Sequence, residues 1–182
     1  MFAFIARRLI AMQERITGES ASYMRDIYSG SPGVFWRFAL AAALFRYAKA
    51  LPPEVYAVAG IAAVRAEDCG PCVQISVNLS LKAGISPAIV RAAATGAVEA
   101  LDDNNRLAYE FAYAVATRDI AAEGLRTEVE RRWGKAGLAE IAFVVATTRS
   151  YPTLKRAMGY AQTCQRVVIG EETAIARPRE AA

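Results

Sequence analysis

The sequence predicts an all-α fold, a single-domain multi-helix bundle, on three observations. Apolar residues recur at spacings of three and four along nearly the whole chain, the period of a helix face. No alternation of period two persists, and no Asn-Gly or Asp-Gly hairpin turn occurs. The composition is 54% apolar, much of it alanine, which suits closely packed helices and leaves apolar surface that an oligomer could cover. At 182 residues the chain is one ordinary domain that can bury a core without staples. Residues 1–165 are expected to form that domain, and residues 166–182 an irregular C-terminal tail.

Each element follows from local signals. Phe2, Ile5, Leu9, Met12 and Ile16 fall on one helical face, and Gly18 ends that helix. Ser29-Gly30-Ser31-Pro32-Gly33 reads as the clearest loop, followed by a helix from about Val34 to Ala50. Leu51-Pro52-Pro53-Glu54 starts the next helix, with proline and a carboxylate suited to a first turn, and it runs to about Ala66. Cys69-Gly70-Pro71-Cys72 opens another that reads through Leu81 to Ala83 and ends at Gly84. Ser86-Pro87 begins a further one. Asp102-Asp103 caps a helix whose apolar face is Leu107, Ala108, Phe111, Ala112 and Val115. Gly124, Gly134 and Gly137 separate two more, the later spanning about Leu138 to Thr148, and a last helix covers Thr153 to Thr163.

Several chemistries are excluded by composition. The net charge of +4 is carried by scattered basic residues rather than a stripe, so no nucleic-acid module is expected. No apolar run reaches the roughly 18 to 20 residues of a membrane span, and Arg7, Arg8 and Glu14 interrupt the N-terminus before a signal-peptide core could form. The cytoplasm is the expected location. The chain holds no histidine, which removes Ser-His-Asp and Cys-His arrangements and the common zinc sites built with imidazole.

The chemistry points to the dithiol Cys69/Cys72. Two cysteines two residues apart at a helix start can close a disulfide across one turn. The helix dipole and unsatisfied N–H groups there stabilise a thiolate, which on dipole grounds favours Cys69 as the more acidic thiol. Zinc would need four ligands, with Cys164 as the one remaining thiol, so no metal or cofactor is expected. Two inert buried cysteines are the other alternative, although core packing does not ask for Gly-Pro between them. The tetrapeptide is that of thioredoxin, but the helical flanks reject that fold. Glu67 and Asp68 disfavour a thiolate at Cys69, with Arg65 partly offsetting them; either carboxylate could instead accept a proton. Ser76 lies one turn after Cys72 and could donate a hydrogen bond to a thiolate. Gln74 and Asn78 read as solvent-facing or hydrogen-bonding residues, and Cys164 as a buried small hydrophobe.

The helix start at LPPE (51–54), EDCGPC (67–72), VQISVNLSLKAGIS (73–86) and EALDDNNRLAYEFAYAVA (99–116) resemble, in that order, the carboxymuconolactone decarboxylase and alkylhydroperoxidase D superfamily. SYPTLKRAMGYAQTC (150–164) looks like a C-terminal feature of one of its branches. The resemblance implies an all-helical, homo-oligomeric protein in which Cys72 meets a hydroperoxide, passes through a sulfenic acid and is resolved by Cys69. It also implies a proton relay of histidine and glutamate. Here the histidine position falls on Ser76 and the glutamate position on Ala57, with Glu54 one turn earlier.

The sequence therefore leads to a thiol-dependent peroxidase or disulfide reductase, with Cys69 and Cys72 as its thiols and Ser76, Glu67, Asp68 and Glu54 as candidate assistants. Its partners would be a hydroperoxide or disulfide and a thiol reductant. The alternative is a non-catalytic oligomeric scaffold with a structural or redox-sensing dithiol. For the N-terminal helix, with Arg7, Arg8 and Arg15 beside its apolar face, packing against the body or a neighbouring subunit is expected over a membrane surface.

Overall fold

The computed structural model describes residues 2–160, 166–170 and 172–175. Among the described residues eight helices follow in order: α1 (Phe2–Thr17), α2 (Ser22–Gly30), α3 (Pro32–Leu44), α4 (Pro53–Ala66), α5 (Gly70–Lys82), α6 (Pro87–Thr95), α7 (Asp103–Thr117) and α8 (Ala121–Ala157). A single 3₁₀ turn (Val98–Ala100) precedes α7, and a short hairpin of β1 (Arg166–Ile169) and β2 (Glu172–Ile175) closes the described chain. The protein is thus mostly helical, as its periodicity predicts.

The central helix is α4. Its sequence is apolar all round, and a helix of that kind belongs inside. Val58 through Arg65 are all buried, and α5, α6, α7 and α8 pack around it. Small residues permit the close approach: a side chain at Gly60 would already touch Val144 of α8 at 3.6 Å. A second, smaller cluster joins Ala6 and Ile10 of α1, Tyr23, Met24 and Ile27 of α2, and Phe35 of α3. Among the described residues, no helix is long and apolar enough to cross a membrane.

Helix starts match their local chemistry. The Asp102 carboxylate accepts the N–H groups of Asn104 and Asn105 at 2.9 and 3.0 Å, and these bonds hold its pKa below the ordinary value. Proline opens α3, α4 and α6, and stands in the first turn of α5. Ser86, which the sequence predicts as the N-cap of α6, precedes it without a side-chain hydrogen bond to its first turn, so proline alone marks that start.

Five expectations are corrected. The loop at 29–33 shrinks to Ser31, which ends α2 and caps α3. The helix expected to Ala50 stops at Leu44, because the buried Glu140 of α8 captures the chain beyond it. Its oxygens accept the N–H groups of Lys49, Ala50 and Leu51 at 2.8–3.1 Å, replacing the carbonyls a helix would supply. Gly124 and Gly137 lie within α8; Gly134 alone leaves helical geometry there (φ 68°, ψ −177°) and kinks it. No separate helix starts at Thr153, since α8 runs through Pro152 to Ala157; residues 161–163 of that expectation, and Cys164, lie outside the described residues. The tail expected to be irregular over 166–182 forms the β1/β2 hairpin where it is described; residue 171 and residues 176–182 of that expectation lie outside the described residues. Val167 and Ile169 alternate inward while Val168 faces out, and Gly170 at φ +64° makes the turn.

The apolar face of α1 is a further difference. Its packed side is Ala6, Ile10 and Thr17, whereas Phe2, Ile5, Met12 and Ile16 of the expected face are exposed.

Candidate functional site: the dithiol at the start of α5

α4 ends at Ala66, and Asp68 at φ +49° turns the chain so that Cys69 sits in extended geometry just before α5. The Cys69 carbonyl accepts the N–H groups of Cys72 and Val73 at 2.9 and 3.0 Å, closing the first turn. This brings the two Cα atoms to 5.3 Å, inside the range that a disulfide spans, with the sulfurs in disulfide contact. The Gly-Pro between them lets the turn form tightly and gives up an N–H that the first turn leaves without an intrahelical partner. Both thiol residues are buried, Cys69 at 0% and Cys72 at 3% exposure, within the core around α4.

Glu67 is held by α8. Arg149 donates to one carboxylate oxygen at 2.5 Å and Arg156 to the other at 3.1 Å, and Arg156 also donates to the Glu67 carbonyl. Burial pushes the Glu67 pKa up, but the two guanidiniums outweigh it and hold the carboxyl below its ordinary range. Glu67 is therefore ionised and engaged, a poor proton acceptor. Its charge is balanced by two cations, so its repulsion of a neighbouring thiolate is largely cancelled. Asp68 makes no ion pair among the described residues.

Other candidates sit apart. The Ser76 carbonyl accepts the Ser80 hydroxyl at 2.8 Å, and its own hydroxyl makes no hydrogen bond to either sulfur among the described residues. Glu54 lies in the first turn of α4, about 18 Å of helix from the end that leads to the dithiol. Arg65 does not offset the acids as expected: its side chain is buried away from them. It donates to the Tyr109 hydroxyl at 2.9 Å and to the Thr95 carbonyl at 3.1 Å, at the C-terminal end of α6. Gln74 and Asn78 do hydrogen-bond, Gln74 donating to Asn78 at 2.9 Å and both reaching distant segments of the same chain. Gln74 pairs with both backbone groups of Val168, and Asn78 donates to the Thr17 carbonyl.

Arg149 and Arg156 read from the sequence only as scattered basic residues, not as part of the site. Their one signal is a spacing of seven, two turns along the same face of a helix. Among the described residues no group of three or more His, Cys, Asp and Glu side chains is placed to hold a metal ion. No protein-family model matches the chain, and no curated protein or solved structure matches it either.

Proposed function

We propose that the protein is a thiol-dependent oxidoreductase of the alkylhydroperoxidase D-like type, whose Cys69 and Cys72 cycle between dithiol and disulfide. The observation that supports this best is the cysteine pair at the α5 N-terminus, beside a carboxylate already neutralised by two arginines. In this scheme the Cys72 thiolate attacks one oxygen of a hydroperoxide. The O–O bond breaks, the sulfur becomes a sulfenic acid, and the departing oxygen takes a proton to leave as the alcohol. Cys69 then attacks that sulfur, the S–S bond forms and water departs. Two electrons pass from the thiols to the peroxide, and a small external thiol, able to reach a buried sulfur, returns them by exchange in two steps. Asp68, the acid adjoining Cys69 that has no ion pair among the described residues, takes the thiol proton directly or through a water.

Burial narrows the substrate. Exchange with a protein disulfide needs open approach to the attacking sulfur, which 3% exposure at Cys72 does not offer. A small hydroperoxide suits the site better. In a single-turnover assay, reduced wild type should consume one hydroperoxide per dithiol and finish with a Cys69–Cys72 disulfide by mass spectrometry. Cys72→Ser should fall to the uncatalysed rate. Equal rates for the two proteins would end the peroxidase reading.

The same burial favours a second reading, a non-catalytic oligomeric helical scaffold whose dithiol is structural or redox-sensing. It requires both thiols of the reduced native protein to resist alkylation until the protein is denatured, whereas the enzyme requires Cys72 to label in the native state. A cycling dithiol also fits a reducing cytoplasm and a homo-oligomer, both part of this proposal.

A further inference from the structure

The N-terminal layer leaves an apolar surface that no described residue covers. On α1, Phe4 is 62% and Met12 52% exposed, with Ile5 and Ile16 on the same open side. On α3, a helix made almost wholly of apolar residues, Phe35 alone is buried, while Leu40 and Leu44 are 68% and 70% exposed. The two helices border one surface: the Phe2 ring meets Trp36 edge-on at 6.4 Å, and Leu40 and Leu44 follow Trp36 at successive turns of α3. A helix apolar all round is normally covered.

The charge of this surface says by what. Arg7, Arg8 and Arg15 are exposed on α1, and Arg37, Arg46 and Lys49 on α3 and the segment after it. No acidic residue occurs before Glu14 or between Asp26 and Glu54. Glu14 itself turns to the body, accepting the Ala21 N–H at 2.8 Å and Arg25 at 2.6 Å. The guanidinium of Arg8 lies 5.0 Å over the Phe4 ring, at the rim of the apolar stripe. A symmetric contact between two copies through this face would set these cations against their own counterparts, with no acid from the stretches before Glu14 or between Asp26 and Glu54 to pair them. An anionic lipid surface supplies both an apolar layer for the large side chains and negative headgroups for the arginines.

From this we infer that the α1/α3 face docks on the surface of an anionic bilayer, lying in the interface rather than crossing it. The inference is independent of the redox reading, because it uses none of the residues around the dithiol.

Co-sedimentation of the full chain with vesicles tests it. Vesicles of phosphatidylcholine with phosphatidylglycerol should carry the protein down, pure phosphatidylcholine should do so weakly, and raising the salt should release it. Arg8→Gln with Arg15→Gln, both exposed and outside the core, should weaken partitioning about thirtyfold. Leu40→Ser with Leu44→Ser should also weaken it. Protein that stays in the supernatant with anionic vesicles overturns the inference, as does binding that ignores both salt and lipid charge. So does sedimentation equilibrium showing a dimer that the leucine pair of substitutions dissociates, because the face then belongs to a second copy.

Discussion

Glu140 shows how much one buried side chain decides. Its two oxygens satisfy three consecutive backbone N–H groups of residues 49–51, in a stretch that must break from helix ahead of Pro52 and Pro53. Burial raises its pKa, yet the three amides and the Lys49 charge outweigh that and leave it below the ordinary 4.5. The stabilisation is therefore complete above the unfolded carboxyl's pKa and is lost as pH falls through the lower folded value. Glu140→Gln should cost about 2–3 kcal/mol at neutral pH, since the carboxylate's charge-assisted bonds are lost and buried amides go unsatisfied. It should also flatten the decline in stability below about pH 4.5 that wild type shows in denaturant titrations. A variant as stable as wild type at pH 7 would refute this. Glu67 follows the same logic at the site, a carboxylate whose partners rather than its neighbours in sequence set its behaviour.

At the scale of elements, α5 is bound on two sides. One end of it carries the dithiol, and its polar stripe of Gln74, Asn78 and Lys82 fastens what lies alongside. Gln74 pairs with both backbone groups of Val168 at 2.8 and 2.7 Å, and Asn78 donates to the Thr17 carbonyl. Lys82 donates to the carbonyls of Arg15 and Ile16, where a cation also suits the end of α1. Removing Gln74 as Gln74→Ala should cost about 1 kcal/mol and speed hydrogen exchange at the Val168 amide, leaving amides within α4 unchanged. Unaltered exchange at Val168 would mean that the hairpin is held by Val167 and Ile169 alone. The start of α5, its end and its two cysteines are legible in its own sequence. The stripe's partners outside α5 were illegible, because each lies 61 or more residues away, on α1 or β1.

For the whole molecule, the dithiol is a small crosslink in a large core. Closing a ring of four residues restricts the unfolded chain by about 2 kcal/mol at most, while the core around α4 spans five helices. Reduction should therefore lower Tm by about 4–8 °C and leave the far-ultraviolet circular dichroism unchanged. Loss of helix on reduction would instead make the disulfide essential to the fold. A fold that keeps its helices on reduction suits the proposed cycling of the pair.

Local chemistry in the chain was sufficient to determine a mostly helical protein, the proline and Asp102 starts of its helices, the stop at Gly84 and a cysteine pair poised at a helix N-terminus. These depend on residues within a turn or two of one another, so the chain encodes them without reference to its partners. Tertiary structure alone decided that α3 ends at Leu44, that α1 packs through Ala6 and Ile10 rather than its larger apolar face, that Arg149 and Arg156 neutralise Glu67, and that both thiols are buried. Each of these depends on contacts between segments tens of residues apart, whose energies periodicity does not record. The hairpin at β1 and β2 belongs with them, since four-residue strands hold only against the helix faces that cover them.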